Sequence, residues 1–318
     1  MEKVFLTEQI HPNAVELLKQ HFEVIQGIST EESEIIRQAQ DCAAILIRSA
    51  HITARVMDEL PTLKVVAKHG MGVDNIDVEY ATEVGIQVVN APFSNLNAVA
   101  EHIVALLLAL SKRIVRMDGL TRSGEFKQRN AYKTTELKGS TVGIVGMGKI
   151  SKMVVKKLSG FEMNILSSDP FVEQAQVEGL GIRMVSPEEL YQTADFVIVH
   201  TSLFPSTFHL VGAEQFRWMK NTAYIINAAR GPVIDEAAMI AALQSGEIAG
   251  AGLDVFEQEP PANDNPLFAM KNVIVSPHNA ALSDGALLAM AMDSAQGIVE
   301  YLTGKEVTYV VNTPTVKR

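Results

Sequence analysis

Short apolar runs alternate with amphipathic stretches in the first ninety residues of the chain. The amphipathic stretches, such as residues 13–22, place apolar side chains on one helical face and polar ones opposite. The apolar runs are rich in β-branched residues and occupy 4–6, 22–25, 43–47, 63–67 and 86–90. This alternation predicts a parallel sheet flanked by helices.

A second series of strands follows a long apolar helix that is predicted to begin near Asn97 and a polar, glycine-containing segment at 121–139. Its strands are continuous apolar runs that end in small or polar residues, a pattern typical of sheets covered on both faces. They lie within residues 140–150, 163–169, 194–203, 223–231, 250–256 and 272–278. The carboxyl ends of these strands are where we expect functional loops.

The pattern therefore predicts an α/β protein with two Rossmann-like or flavodoxin-like lobes, each built on a parallel sheet, and a cleft between them. We place a substrate-binding lobe at residues 1–97 with 285–318, and a dinucleotide-binding lobe at 98–284. The last helix is predicted at 283–302. The segment at 304–312 is predicted to return to the first lobe.

Length and charge narrow the class of protein. A chain of 318 residues exceeds the size at which a single core grows efficiently, which favours two lobes. The net charge of -10 and the pI near 5.3 argue against a nucleic acid or an anionic membrane as partner, because binding to phosphates depends on Lys and Arg. A small molecule is the expected partner.

Several features indicate a cytoplasmic protein. Cys42 is the single cysteine, so no intrachain disulfide can form, and its apolar surroundings predict a buried side chain. The N-terminus has no apolar signal core, and the longest apolar stretch, Ile103–Leu110, is far shorter than the roughly 20 residues that span a bilayer. The eight histidines and the cysteine form no cluster with metal-ligand spacing, so no metal site is expected.

A nucleotide site is predicted where the strand of residues 141–145 meets a helix. Gly146 permits a tight turn, and Gly148 permits close approach of the backbone to a pyrophosphate at the helix N-terminus. Ser151 departs from the fingerprint, which usually has Gly or Ala at the third position, and its effect on the turn stays open.

Asp169 extends this prediction to the identity of the cofactor. It ends the next strand about 20 residues after the glycines, where a carboxylate accepts both ribose hydroxyls and repels a 2'-phosphate. The cofactor is therefore predicted to be NAD rather than NADP. The alternative is that Asp169 only starts a turn before Pro170.

Three segments in the second half, residues 227–236, 252–260 and 276–282, combine reactive residue types with strand ends. Together with HGMGVDNID, VVNAPFSNLNAVAEH and ELKGSTVGIVGMGKI, at 69–77, 88–102 and 136–150, they resemble the D-isomer-specific 2-hydroxyacid dehydrogenase family over nearly the whole chain. The pattern is most similar to D-3-phosphoglycerate dehydrogenase-like members without a regulatory domain. The resemblance implies an NAD-dependent oxidoreductase that transfers a hydride between nicotinamide and C2 of a small D-2-hydroxy or 2-oxo acid.

The resemblance also implies catalytic roles. His278 is expected to be the acid/base, Glu259 its partner and Arg230 the residue that orients the substrate. These roles suit the side chains, because a histidine transfers protons near neutral pH, a carboxylate stabilises the imidazolium, and a guanidinium matches a carboxylate. Taken singly, each residue is better explained by a structural role, such as pairing of Arg230 with Asp235, and it is their order and spacing together that favour catalysis.

Binding residues follow from the same resemblance. Asp254 is expected at the nicotinamide carboxamide, Lys149 and Ile150 at the pyrophosphate, and Thr201 and Ala228 along the cofactor. Lys149 stands where the family more often has Arg, so its phosphate contact lacks the fork geometry. The residues expected at the substrate are Arg48, Ser49, Met71, Gly72 and Val73.

Further interpretations stay open. The substrate can be 3-phosphoglycerate or that of a hydroxypyruvate or glyoxylate reductase, because Arg48 alone does not distinguish them. A noncatalytic NAD-sensing binding protein is the alternative from another class. Formate dehydrogenase fits less well, because Asn279 follows His278, which is paired with Glu259 instead of the expected Gln. The resemblance also implies a homodimer, with the polar segment at 117–138 in the interface.

Overall fold

The computed structural model describes residues 1–316 and 318 and divides the chain into two compact units. The first, unit 1, comprises residues 1–95 with 281–318, and the second, unit 2, comprises residues 96–280. Each unit has its own buried hydrophobic core around a parallel sheet.

Strands and helices alternate through most of the described chain. The strands are β1 (Lys3–Leu6), β2 (Glu23–Gln26), β3 (Cys42–Ile47), β4 (Val65–Lys68), β5 (Gln87–Val89), β6 (Thr141–Val145), β7 (Asn164–Ser168), β8 (Ile182–Met184), β9 (Phe196–Val199), β10 (Tyr224–Asn227), β11 (Gly250–Leu253) and β12 (Val273–Val275). The helices are α1 (Pro12–Lys19), α2 (Glu32–Gln38), α3 (Ala54–Glu59), α4 (Val78–Glu83), α5 (Leu96–Ser111), α6 (Ile114–Arg122), α7 (Lys149–Leu158), α8 (Pro187–Thr193), α9 (Ala213–Trp218), α10 (Glu236–Ser245) and α11 (Asp284–Leu302).

Unit 1 has a parallel sheet in the order β2-β1-β3-β4-β5, the order of flavodoxin-like folds. β3 is buried along its whole length, as expected for a central strand covered on both faces. The predicted return of residues 304–312 is confirmed, because Val311 N–H donates to Val88 O at 2.9 Å and the Asn312 side chain accepts from Val88 N–H at 2.7 Å.

Unit 2 has a parallel sheet in the order β12-β11-β10-β9-β6-β7-β8. The chain moves outward from β6 through β7 to β8, then returns to pair β9 on the other side of β6. Ligands of open α/β sheets bind beside the carboxyl ends of the two strands at such a reversal. A ligand is therefore expected to bind at the loops after β6 and β9.

The predicted α/β class with two parallel sheets is confirmed, with one strand more than expected. β8 has only three residues, at the edge of the sheet, and its Arg183 side chain is exposed. An edge strand of this length carries little apolar periodicity, which explains its absence from the prediction. In the described part of the chain, no helix combines the length and apolar character required to cross a bilayer.

Candidate active site

His278 lies in a tight turn directly after β12. Its backbone adopts φ of 49°, in the left-handed region that non-glycine residues rarely occupy. The turn is fixed by two bonds of the His278 N–H, to Asp254 O at 2.8 Å and to Ser276 O at 3.1 Å. Strained backbone of this kind persists only where the surroundings hold it, and it is common at functional sites.

Glu259 holds the His278 ring. The ring Nδ1 lies 2.7 Å from Glu259 Oε2, and the side chains are 48% and 35% exposed. The second carboxylate oxygen accepts from Phe256 N–H at 3.0 Å. Burial alone would raise the pKa of the Glu259 carboxyl, but the hydrogen bond and charge of His278, the Phe256 N–H and the charge of Arg230 outweigh burial and keep this pKa below its usual value.

Arg230 follows β10, two strands from β12 in the sheet. The Asn227 side chain fixes its backbone, because the amide nitrogen donates to Arg230 O at 2.9 Å and the amide oxygen accepts from Ala229 N–H at 3.0 Å. One guanidinium nitrogen of Arg230 donates to Ala229 O at 2.8 Å. Since its charge lowers the pKa of Glu259, Arg230 lies within electrostatic reach of the His278–Glu259 pair.

The Asp254 carboxylate is buried and connects strand β11 to the turn that carries His278. It accepts from Ser276 Oγ at 2.6 Å and from the backbone N–H groups of Asn279 and Ala280 at 3.0 and 2.9 Å. The His102 Nε2 of helix α5 lies 3.0 Å from Ser276 Oγ. Sequence reasoning missed His102 and Ser276, and the one available signal was a histidine directly before the apolar run Ile103–Leu110.

Two glycines of the loop between β6 and α7 differ in what surrounds them. Gly146 has φ of 90°, and an added Cβ would lie 2.6 Å from His200 O, so glycine is required for the fit of this loop against the end of β9. An added Cβ at Gly148 would meet nothing within 4 Å. The exposed Gly148 at the start of the ten-residue α7 therefore leaves open space beside the helix N-terminus, towards which the backbone N–H groups of the first turn point, and this geometry fits a pyrophosphate.

Ser151 is buried at 1% exposure, and its hydroxyl donates to Gly146 O at 2.7 Å. This hydrogen bond links the glycine loop to the first turn of α7. The departure from the usual third glycine or alanine is therefore accommodated by an internal hydrogen bond.

The other predicted cofactor residues surround this loop. The Asp169 carboxylate, at the end of β7, accepts from Met147 N–H at 2.7 Å and from Phe171 N–H at 2.8 Å. The Lys149 side chain is exposed, whereas that of Ile150 is 4% exposed, so Ile150 would offer phosphate its backbone N–H. Thr201 lies two residues after the end of β9, and Ala228 lies one residue after the end of the neighbouring strand β10. The glycine loop and the Asp169 carboxylate together fit a dinucleotide.

His200 also lies in this region and was not predicted. Burial lowers the pKa of its imidazole to about 4, and the charge of Arg230 contributes to this shift. Among the described residues, no hydrogen-bond partner reaches its Nδ1. The His200 imidazole is therefore neutral near pH 7, and it lies within electrostatic reach of Arg230.

In unit 1, the predicted residues Arg48 and Ser49 follow β3 and are held by Glu8. The Glu8 carboxylate accepts from both backbone N–H groups, at 3.0 and 2.9 Å, and from Ser49 Oγ at 2.6 Å. Burial would raise the pKa of Glu8, but these hydrogen bonds and one from Thr7 keep it below its usual value. The Arg48 guanidinium donates to Gln9 O at 3.2 Å. Glu8 was missed by sequence reasoning.

The predicted substrate loop of Met71, Gly72 and Val73 follows β4 and is half-buried. The Asn90 side chain donates to Met71 O at 2.7 Å, which fixes the loop against the end of β5. His69, at its start, is 7% exposed. Burial, with the charge of Arg48, lowers the pKa of His69 to about 4, although backbone hydrogen bonds oppose this shift.

The structure thus brings Arg230, Glu259, His278 and Asp254 together in unit 2, with the glycine loop and Asp169 at the ends of neighbouring strands. Arg48, Ser49 and the Met71–Val73 loop lie together in unit 1, at the ends of β3 and β4.

The chain is similar to known proteins over nearly its whole length. A family model described as "D-isomer specific 2-hydroxyacid dehydrogenase, NAD binding domain" matches residues 104–280. The chain is 39% identical to a D-3-phosphoglycerate dehydrogenase of Methanocaldococcus jannaschii, over 99% of this chain and 60% of that protein. It therefore spans about three fifths of the length of that relative.

Other relatives match over nearly their full length. A glyoxylate reductase of Thermococcus gammatolerans is 38% identical over 99% of this chain and 97% of its own. Among solved structures, the TT0316 protein of Thermus thermophilus superposes with a TM-score of 0.91 at 32% identity, covering 98% of this chain and 100% of that one.

Proposed function

Because this chain belongs to the D-isomer specific 2-hydroxyacid dehydrogenase family, we propose that it transfers a hydride between NAD and C2 of a small D-2-hydroxy acid or its 2-oxo partner. The observation that carries the proposal is the pair of His278 Nδ1 and Glu259 Oε2, 2.7 Å apart, with Arg230 within electrostatic reach. Residues 104–280 match an NAD-binding domain, and NAD supplies or accepts the hydride when it is bound.

His278 is proposed as the acid/base. Glu259 engages Nδ1, which leaves Nε2 as the ring nitrogen that would give a proton to the 2-oxo oxygen or take one from the 2-hydroxyl. The ionised carboxylate orients the ring and stabilises the imidazolium, which gives up its proton during reduction and forms by accepting one during oxidation. The half-exposed His278 side chain is accessible to a substrate.

Arg230 is proposed as the residue that binds the substrate carboxylate and polarises the adjacent carbonyl. A guanidinium presents paired donors in a plane that match a carboxylate. Its backbone is held by Asn227 and its guanidinium donates to Ala229 O, so the side chain is oriented before the substrate arrives.

For NAD, we propose that Gly146, Gly148, Lys149 and Ile150 contact the pyrophosphate and that Asp169 accepts the ribose hydroxyls. Thr201 and Ala228 would line the cofactor, and Asp254 would contact the nicotinamide carboxamide. The hydrogen bonds of Asp254 to Ser276, Asn279 and Ala280 support a further role for it, that of holding the His278 turn in place.

The finer assignments are also proposals. Arg48, Ser49 and the Met71–Val73 loop would recognise the substrate, with residues 1–97 and 285–318 as the substrate-binding domain and 98–284 as the NAD-binding domain. The substrate class spans phosphoglycerate dehydrogenase-like and glyoxylate or hydroxypyruvate reductase-like activity, since relatives carry both kinds of name. The cytoplasmic location and the homodimer remain predictions.

The test is oxidation of NADH by the purified protein with hydroxypyruvate, phosphohydroxypyruvate, glyoxylate, pyruvate and branched 2-oxo acids. We expect at least one acid to be reduced, with a loss of about a thousandfold in kcat for His278→Ala and unchanged NADH binding. Binding of NADH without reduction of any of these acids would contradict the proposal and favour the NAD-sensing protein.

A further inference from the structure

A second histidine–glutamate pair lies beside the proposed catalytic residues. His209 Nε2 is 2.9 Å from Glu257 Oε1, and both side chains are about one third exposed, at 32% and 33%. Glu257 precedes Glu259 by two residues in the loop after β11. The proposed chemistry uses neither His209 nor Glu257.

Glu257 also joins its loop to the start of α10. Its second carboxylate oxygen accepts from Glu236 N–H at 3.0 Å, while the Glu236 carboxylate accepts from Glu257 N–H at 3.1 Å. The Asn265 side chain donates to the other Glu236 oxygen at 2.7 Å. Two carboxylates therefore meet here, and His209 is the basic side chain that contacts Glu257.

His209 is joined through its backbone to the turn that follows Arg230. Its N–H donates to Pro232 O at 2.8 Å, and Val211 N–H donates to Val233 O at 3.1 Å. His209 has φ of 51°, and its ring stacks on Phe208 with centroids 4.0 Å apart. A non-glycine residue in this conformation, with a fixed ring, indicates that the ring position is specified by its surroundings.

The backbone of the Arg230 turn presses directly against the loop that carries Glu259. A Cβ added to Gly231 would overlap Phe256 O and would lie 2.5 Å from Glu257 N. At this contact, a shift of either segment moves the other, because backbone meets backbone and no side chain lies between the two segments to absorb the shift. The His209–Glu257 pair spans the same junction with side chains.

We infer that His209 and Glu257 are positioning residues that keep the Arg230 turn in register with the loop that carries Glu259. The inference rests on the proposed function. It adds to that function a contact between His209 and Glu257 that holds Arg230 in position relative to the His278–Glu259 pair. Loss of the pair would let the Arg230 turn move, so the guanidinium would meet the substrate carboxylate less well. NADH binding at the glycine loop would be unaffected.

The experiment measures kcat, KM for the best 2-oxo acid, KM for NADH and thermal midpoint for His209→Gly, Glu257→Ala and the double variant. Glycine adopts the positive φ of residue 209 without strain, so this variant isolates loss of the ring, and His209→Asn repeats the test with a stiffer backbone. Glu257→Gln is the conservative variant. Glu189→Gln, in the exposed Arg183–Glu189 pair on the opposite part of the sheet, is the matched control.

We expect each single variant to raise KM for the 2-oxo acid about tenfold, with KM for NADH within about twofold of wild type. The double variant should be no worse than the more severe single variant, since both remove one interaction. Glu257→Gln should recover part of the loss, and Glu189→Gln should behave as wild type.

Unchanged KM for the 2-oxo acid in both single variants, additive losses, or a lower thermal midpoint with unchanged KM would overturn the inference. Arg230→Ala and the wild-type protein, measured in parallel, separate this failure from failure of the proposed function. If Arg230→Ala loses activity while the His209 and Glu257 variants keep wild-type KM, only the positioning role is wrong. If Arg230→Ala turns over like wild type, the role assigned to Arg230 and the positioning role that acts through it are both wrong. If the wild-type protein reduces none of the 2-oxo acids, the proposed function itself is wrong.

Discussion

The two units hold their proposed site residues in different ways. In unit 2, His278 contacts Glu259 directly, and the charge of Arg230 acts on both Glu259 and His200. In unit 1, Arg48 and Ser49 are held by hydrogen bonds to the Glu8 carboxylate and to a backbone oxygen. The Met71–Val73 loop is fixed by a hydrogen bond from Asn90. Side chains paired with each other suit proton transfer and charge stabilisation, whereas a loop fixed by its scaffold suits recognition.

One feature is shared by the two units. In each unit, a histidine that follows a strand has its pKa lowered to about 4. These residues are His69 after β4 and His200 after β9. Burial is the main cause in both, but Arg48 acts on His69 and Arg230 acts on His200. Each proposed arginine thus has a neutral imidazole within electrostatic reach, which adds no competing positive charge.

The largest expected difference between the units is in the effect of removing their arginines. Arg230→Ala should lower kcat/KM about a thousandfold for every 2-oxo acid, or about 4 kcal/mol of transition-state stabilisation, because it removes the charge beside the reacting carbonyl. Arg48→Ala should raise KM about tenfold with kcat nearly unchanged, since it removes binding that is uniform along the reaction. Steady-state kinetics across the acid panel measures both, and equal loss of kcat in both variants would contradict the division of roles.

The next effect concerns the cofactor side of unit 2. Asp169→Ser should lower kcat/KM for NADH about a hundredfold and improve relative use of NADPH, because the ribose hydroxyls lose their acceptor and a 2'-phosphate is no longer repelled. Initial rates with each cofactor measure the preference. Since Asp169 also accepts from Met147 N–H, Asp169→Asn serves as the control that removes the charge and keeps the side-chain size. An unchanged preference in both variants would remove Asp169 from the cofactor site.

The smallest effect concerns the pH dependence of unit 1. The pKa of His69 falls from 6.5 to about 4 on folding, so between these values the unfolded chain binds a proton that the folded protein does not. Stability contributed at this site is therefore complete above pH 6.5 and declines as pH falls toward about 4. Relative to wild type, His69→Gln should gain about 2 kcal/mol in free energy of unfolding between about pH 7 and about pH 4.5.

Urea unfolding at both pH values measures this gain, with His21→Gln at the surface as the matched control. The gain should be present for His69→Gln and absent for His21→Gln. The same pH dependence in wild type and His69→Gln would show that His69 is not held neutral by burial.

Much of the fold followed from the sequence because burial on both faces leaves continuous apolar strands, as in β3 and β9, with small or polar residues at their ends. The glycine turn was also predictable, since Gly146, Gly148 and Asp169 have fixed spacing in one strand–helix–strand unit. The catalytic roles came from resemblance to the family, because Arg230, Glu259 and His278 taken singly are better explained by structural roles.

The supporting contacts were not predictable. His102 and Ser276 are 174 positions apart, and Glu8 and Ser49 are 41 apart, so their hydrogen bonds depend on how the sheets assemble. Ser151 shows the same limit on a shorter scale. The fingerprint marks it as a departure, but its bond to Gly146 O depends on the geometry of the turn.

The most direct test of hydride transfer to C2 is reduction of the best 2-oxo acid with NADH deuterated at the transferred position, followed by analysis of the product. Hydride transfer from NADH to C2 should place one deuterium at C2 of the D-2-hydroxy acid. A product without deuterium at C2, or the L-isomer, would contradict it.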